Sequence, residues 1–104
     1  MTEQTKVYPR LTIETLLTLE KRIEAHRTTL DDCLLIDHYV EATGNPGRVL
    51  TEFKRIGVLS FQEFVELLNS KNRDHSKIVH RCSGILLGFV HFLMGPVDND
   101  EEIY

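Results

Sequence analysis

The feature that most constrains the fold is a long apolar stretch near the C-terminus, from Lys77 to Met94. On a helix of 3.6 residues per turn, its apolar side chains fall on every side and leave no wholly polar face. A helix that is apolar all round is buried or lies in a membrane. A spanning helix needs about 20 apolar residues with few charges, whereas this uncharged run contains His91, Gly95 and Pro96. We therefore predict the buried central helix of a soluble all-α domain.

Length and charge restrict the number of domains and the class of partner that we expect. The 104 residues suffice for one domain with one core, and the formal net charge of −4 argues against wholesale binding of nucleic acid. The first ten residues contain no apolar segment typical of a secretion signal. We expect a cytoplasmic protein with no membrane contact, and with Cys33 and Cys82 as free, buried thiols.

Helical signals divide the chain into a compact bundle of about five helices packed around the C-terminal one. The predicted spans are 12–28, 31–43, 46–56, 60–71 and 77–94. Capping chemistry predicts that these helices begin at Thr12, at Asp31 or Asp32, at Pro46, at Ser60, and at Asp74 or Ser76. Gly followed by Pro at 95–96 is typical of a helix end. The expected organisation is a flexible arm over 1–10, a helical domain over 11–96 and an acidic tail over 97–104.

Two glycines four residues apart, Gly84 and Gly88, interrupt the central helix. Each costs roughly 1 kcal/mol against alanine inside a helix, so we predict that close packing of a neighbouring helix offsets the cost. On this interpretation both glycines, Phe89 and Phe92 are largely buried. The shorter helices cannot cover the full length, however, so we also expect an open apolar region around Phe89, Phe92 and Leu93. Such a region is typical of a homodimer or partner surface.

Charge is segregated along the last third of the chain. The segment 71–81 carries four basic residues and one acidic residue, and the segment 98–104 carries four acidic residues. We predict that these charges contact a protein partner of complementary charge. The predicted partner-binding residues are Lys71, Arg73, Lys77, Arg81, Phe89, Phe92, Asp98, Asp100, Glu101 and Glu102.

A second interpretation is a nucleic-acid-associated regulator. The turn over 42–45, followed by a helix, Gly57 and another helix, resembles a helix-turn-helix. Its recognition helix, 60–71, would bring Glu63 and Glu66 toward the phosphates and has no basic residue before Lys71. That charge is wrong for phosphate contact, so this alternative depends mainly on the basic turn 71–81.

Two further resemblances bear on function. His80-Arg81-Cys82-Ser83-Gly84 resembles the phosphoacceptor segment of histidine phosphotransfer domains, although that family has Lys where this chain has Ser83. The segments 36–38, 61–63 and 97–102 are similar in order to the second half of the phage lambda Gam family. The first resemblance implies a phosphotransfer protein, and the second implies an inhibitor of a host nuclease.

Catalytic and metal-binding patterns are weak. Asp37, His38 and Glu41 form one acid–base group on a helix, which is more often a solvated face. The five histidines include no pair three or four residues apart, so we predict no metal site and no cofactor. The sequence favours a small, acidic, non-enzymatic interaction module that serves as an adaptor or as an inhibitor of a larger protein machine.

Overall fold

The computed structural model describes the backbone of residues 8–100 and the side chains of residues 8–95, and over this range it confirms an all-α fold. Five helices follow one another through short connections. They are α1 (Ile13–Glu24), α2 (Leu30–Ala42), α3 (Arg48–Arg55), α4 (Phe61–Asn69) and α5 (Arg73–Asp100). The flexible arm expected over 1–10 lies mostly outside the described residues. Within it, the Tyr8 ring stacks on His38, and the Pro9 carbonyl accepts a 2.7 Å hydrogen bond from Tyr39.

Helix α5 is the central element, as the sequence predicts, and each of the other four helices packs against it. Its buried residues recur every three or four positions, which is the spacing of one helical face. They are Val79, Cys82, Ser83, Leu86, Val90 and Leu93. With 28 residues, α5 is about 42 Å long, well beyond the reach of α3 or α4.

The prediction that Gly84, Gly88, Phe89 and Phe92 are largely buried is wrong, because this side of α5 faces solvent. Gly84 and Gly88 are exposed, and a Cβ built on either one would meet no atom within 4 Å. Phe92 is 51% exposed and Phe89 is only partly buried, whereas Leu93 is buried. The glycines therefore do not mark helix packing within the chain. The open apolar region is present, but it is centred on Phe92.

Several helix ends differ from the predictions for local physical reasons. α2 begins at Leu30, one residue before the predicted span, because Thr29 and not Asp31 or Asp32 caps it; the Asp32 carboxylate accepts the Thr29 N–H in return. The predicted stop at Gly95-Pro96 is wrong, since α5 continues to Asp100. Gly95 does not adopt the left-handed conformation by which glycine normally ends a helix. Thr12 and Ser60 cap α1 and α4 as predicted.

Two contacts fix the shorter helices around α5. Phe53 of α3 is fully buried and meets the rings of Phe61 and Phe64 edge-on, each at a centroid distance of 5.4 Å. Such aromatic pairs stabilise a core by about 0.5–1.5 kcal/mol beyond their buried area. Between α1 and α2, the Arg22 guanidinium donates two 2.9 Å hydrogen bonds to the buried Asp32 carboxylate.

By length and composition alone, the segment Arg73–Gly95 of α5 could cross a membrane, and one third of its most apolar window is buried inside the fold. Core helices of soluble proteins can have the same length and composition. The packing of four helices on α5 favours the core interpretation, and the expected absence of membrane contact stays a prediction.

The first test concerns Leu86, which is fully buried in the middle of α5. Leu86→Ala should lower the free energy of unfolding by roughly 2–5 kcal/mol, because it removes buried methyl groups and leaves a cavity. Leu17→Ala is the matched control, since Leu17 is 44% exposed on α1; its effect should stay within about 0.5 kcal/mol. Urea unfolding followed by circular dichroism measures both. Equal losses in the two variants would contradict the central position of α5.

Candidate binding groove

A concave surface lies where α4 ends, α5 begins and α1 turns away. This surface, called the basic groove below, has a volume of about 860 Å³. Its lining includes the four basic residues predicted from the sequence, Lys71, Arg73, Lys77 and Arg81. The fold thus brings together residues that span eleven positions of the chain.

Capping of α5 explains this convergence. The Asn72 side chain accepts the Asp74 N–H at 2.9 Å, and the Ser70 hydroxyl accepts the Asn72 N–H at 3.1 Å. The helix therefore begins at Arg73, one turn before the predicted start, so the prediction of Asp74 or Ser76 as the cap is wrong. From that start, Arg73, Lys77 and Arg81 follow at intervals of four residues and lie along one side of the helix.

The basic side chains of the groove are electrostatically uncompensated. All four are exposed, and within residues 8–95 none forms an ion pair with a carboxylate. The N-terminus of α5 adds the partial positive charge of the helix dipole. By contrast, Arg48 and Arg55 of α3 both pair with Glu52. The basic groove is consequently a local positive region on an acidic protein.

Apolar side chains line the groove between the basic ones. Leu67 and Leu68, near the end of α4, are partly buried, and Val79 of α5 is buried. A positively charged rim over an apolar floor fits a ligand that has both negative charges and apolar groups. The phosphate backbone of a nucleic acid offers negative charges but no apolar groups.

The sequence interpretation missed His26, which lines the groove from the end of α1. Its φ of 59° is left-handed, and it is the only residue other than glycine with positive φ in the described chain. The His26 N–H bonds the Ile23 carbonyl, and the Arg27 N–H bonds the Arg22 carbonyl. These bonds form a Schellman motif, in which glycine usually occupies the position of His26. Without a glycine there, no sequence signal identified the turn.

His80 also lines the basic groove and is exposed. Ser83, three residues further along α5, is buried, and its hydroxyl has no hydrogen-bond partner among the described residues. Ser83 therefore does not activate or orient His80. The phosphotransfer alternative stays a prediction supported only by the exposure of the imidazole.

The remaining predicted partner residues lie elsewhere. Phe89 and Phe92 line a second groove of about 540 Å³ together with Arg48, Gly84 and Gly88. Asp98 and Asp100 belong to the last turn of α5, at the opposite end of the helix from the basic groove. Glu101 and Glu102 lie outside the described residues. The predicted partner-binding residues that the structure describes are thus divided among the basic groove, the second groove and the last turn of α5.

The acid–base group on α2 has a distinctive environment. Asp37 is half-buried, and its Oδ1 has no hydrogen-bond partner within the described part of the chain. Burial, and secondarily the negative charge of Glu41, raises the pKa of the Asp37 carboxyl, while His38 acts in the opposite direction. The His38 ring stacks on Tyr8 at a centroid distance of 4.3 Å. A chemical role for this group is only an alternative to a solvated helix face, and it stays untested.

The thiols and possible metal ligands provide no further chemistry. Cys33 and Cys82 are free and buried, and burial raises the pKa of each thiol to about 12. Thiols with such pKa values are poor nucleophiles at neutral pH. Over the described residues, no cluster of three His, Cys, Asp or Glu side chains could hold a metal ion.

The chain matches no protein-family model, no curated protein and no solved structure. The helix-turn-helix, phosphotransfer and Gam-like interpretations accordingly stay predictions.

The raised pKa of Asp37 can be tested through stability. A raised native pKa means that the native state holds this proton more tightly than the unfolded state does. The contribution of Asp37 therefore favours folding at acidic pH and is lost as pH rises through the native pKa. At neutral pH, Asp37→Asn should raise the urea midpoint, because it removes a half-buried charge.

The gain from Asp37→Asn should disappear below the ordinary pKa of aspartate, where the wild-type carboxyl is protonated. Glu41→Gln should give a smaller gain at neutral pH, because it removes only the neighbouring repulsion. A loss of stability in Asp37→Asn at neutral pH would show that the charged carboxylate has a stabilising partner.

Proposed function

We propose that this chain is a protein-interaction module that binds an acidic segment of a partner protein in the basic groove. The observation that carries the proposal is the convergence of Lys71, Arg73, Lys77 and Arg81, all unpaired within residues 8–95, around an apolar floor. A cytoplasmic adaptor, or an inhibitor that occupies a site on a larger machine, would work by such a contact without chemistry of its own.

The character of the groove favours a protein segment over nucleic acid. Leu67 and Leu68 offer contacts for leucine or aromatic side chains of a peptide, and these contacts supply affinity that charge alone does not. The basic rim would raise the association rate and select against basic partners. The net charge of the whole chain, −4, opposes the approach of a nucleic-acid backbone.

The helix-turn-helix alternative has less support from the geometry. Its recognition helix corresponds to α4, where the Glu63 carboxylate accepts the Leu59 N–H at 2.8 Å and the Gln62 amide bonds Glu66. These acidic groups would face phosphates with the wrong charge. A nucleic-acid function would therefore use the basic groove rather than α4.

Binding of labelled probes tests this proposal. The first probe is a fluorescein-labelled peptide of alternating glutamate and leucine, and the second is a labelled DNA duplex. Fluorescence anisotropy should show that the peptide binds more tightly than the duplex. Replacing Lys71, Arg73 and Lys77 with Gln should weaken peptide binding roughly tenfold, because an exposed ion pair contributes about 0.5 kcal/mol and three of them are lost together.

The matched control replaces Arg10, Lys21 and Lys54 with Gln. These residues are exposed and do not line the basic groove, and the net charge changes by the same amount. The control should bind the peptide like the wild type. Equal weakening in both variants would show a non-specific charge effect, and binding of the duplex in preference to the peptide would favour the nucleic-acid alternative.

A further inference from the structure

One side of α5 is open between Lys77 and Gly95. At successive spacings of three or four residues, the exposed positions form a continuous stripe, called the outward face below. The outward face consists of Lys77, Arg81, Gly84, Gly88, Phe92 and Gly95. It begins with basic side chains, passes over glycines in the middle and ends with an exposed aromatic ring before the acidic last turn.

We propose that the outward face binds a second copy of this chain, so that two α5 helices pack antiparallel and cross at Gly88. The inference does not depend on the proposed binding of acidic segments. It follows from the charges, the glycines and Phe92, each of which fits the same two-fold arrangement.

The charges of α5 are complementary only between copies. Lys77 and Asp98 are 21 residues apart on one helix, or about 32 Å. That separation exceeds the distance over which charges attract one another in physiological salt. An antiparallel second copy brings its acidic last turn beside the basic first turns of this copy, and the reverse contact forms by symmetry. A parallel pair would place like charges together.

The same charges define the register of the pair. Lys77 lies eleven residues before Gly88, and Asp98 lies ten residues after it. Gly88 is therefore midway between the two charged regions and falls on the two-fold axis. Gly84 lies four residues before the axis and Phe92 four residues after it, so Phe92 packs over Gly84 of the second copy.

The glycines have no function in packing within the chain. A Cβ at Gly84 or Gly88 would meet no atom within 4 Å, so alanine would fit, and it would also favour the helix. The absence of a side chain at these two positions matters only to a helix that approaches from outside the chain. The exposed Phe92 ring, at 51% exposure, supplies the apolar side chain that fills the depression over the partner's glycine.

Disulfide trapping in a glutathione redox buffer tests the antiparallel register directly. Only a residue on the two-fold axis lies opposite itself, within the Cα separation of about 4–7 Å that a disulfide requires. Gly88→Cys should therefore form a covalent dimer. Gly95→Cys is the matched control, because it is an exposed glycine on the same face with no atom near its Cβ. It should stay monomeric on a non-reducing gel, and the native thiols are buried in both variants.

Sedimentation velocity then tests the non-covalent dimer. The wild type should reach twice its 12.0 kDa mass as concentration rises, and Gly88→Leu should remain monomeric, because a large side chain holds the two helices apart. Gly88→Leu should also leave the circular-dichroism melting curve intact, since its site is open; if it does not, Gly88→Ala serves in its place. Lys77→Glu and Asp98→Lys should each weaken the dimer, and the double variant should restore it.

Several results would overturn the inference. They are a wild-type monomer at every concentration, a dimer that Gly88→Leu leaves unchanged, or equal trapping by Gly88→Cys and Gly95→Cys. Assemblies that continue to grow with concentration would indicate open head-to-tail contacts in place of the closed two-fold pair. Lys77 and Arg81 belong to both surfaces, whereas Gly88 does not line the basic groove, so the Gly88 variants test the dimer without altering the proposed peptide site.

Discussion

The fold depends on the buried stripe of α5, which is the set of buried side chains between Val79 and Leu93. Each of the other four helices packs its apolar side chains against α5. Leu86, Val90 and Cys82 are fully buried at its centre. Helices α3 and α4, with eight and nine residues, are too short to be stable in isolation and need this surface to fold. Burial of the stripe therefore drives the assembly of the whole domain.

Because the stripe occupies one side of α5, the other side is free for recognition. The start of the helix, held by the Asn72 cap, places three basic residues at the basic groove. The middle presents two glycines and Phe92. The outward face thus lies opposite the buried residues of α5, so that substitutions on the outward face need not disturb the core.

The all-α fold, the five helices and the central position of the last one could be predicted from the sequence. Hydrophobic spacing and side-chain caps are local signals, and both are strong in this chain; Ser60 with Glu63 is one case. The clustering of basic residues at one turn was also predictable, because it follows from their proximity in sequence. Their convergence on an apolar floor required the packing of α4 against α5.

The errors have a common physical origin in residues with weak local preferences. Glycine has no side chain, so Gly84 and Gly88 fit a buried interface and an exposed one equally well by sequence, and only the packing decides. His26 adopts a conformation normally reserved for glycine, and Thr29 competes with two nearby aspartates for the cap. Packing decides the exposure of the two glycines, whereas hydrogen bonds within the segment itself fix the cap at Thr29 and the turn at His26.

Amide hydrogen exchange followed by mass spectrometry tests most directly whether the fold depends on α5. If all four helices rely on the buried stripe, peptides covering 82–90 should exchange most slowly. Their exchange should then occur only through global unfolding, with a protection free energy equal to the total stability. Exchange of these amides before those of α1 and α2 would contradict the account, because it would show that the remaining helices persist without α5.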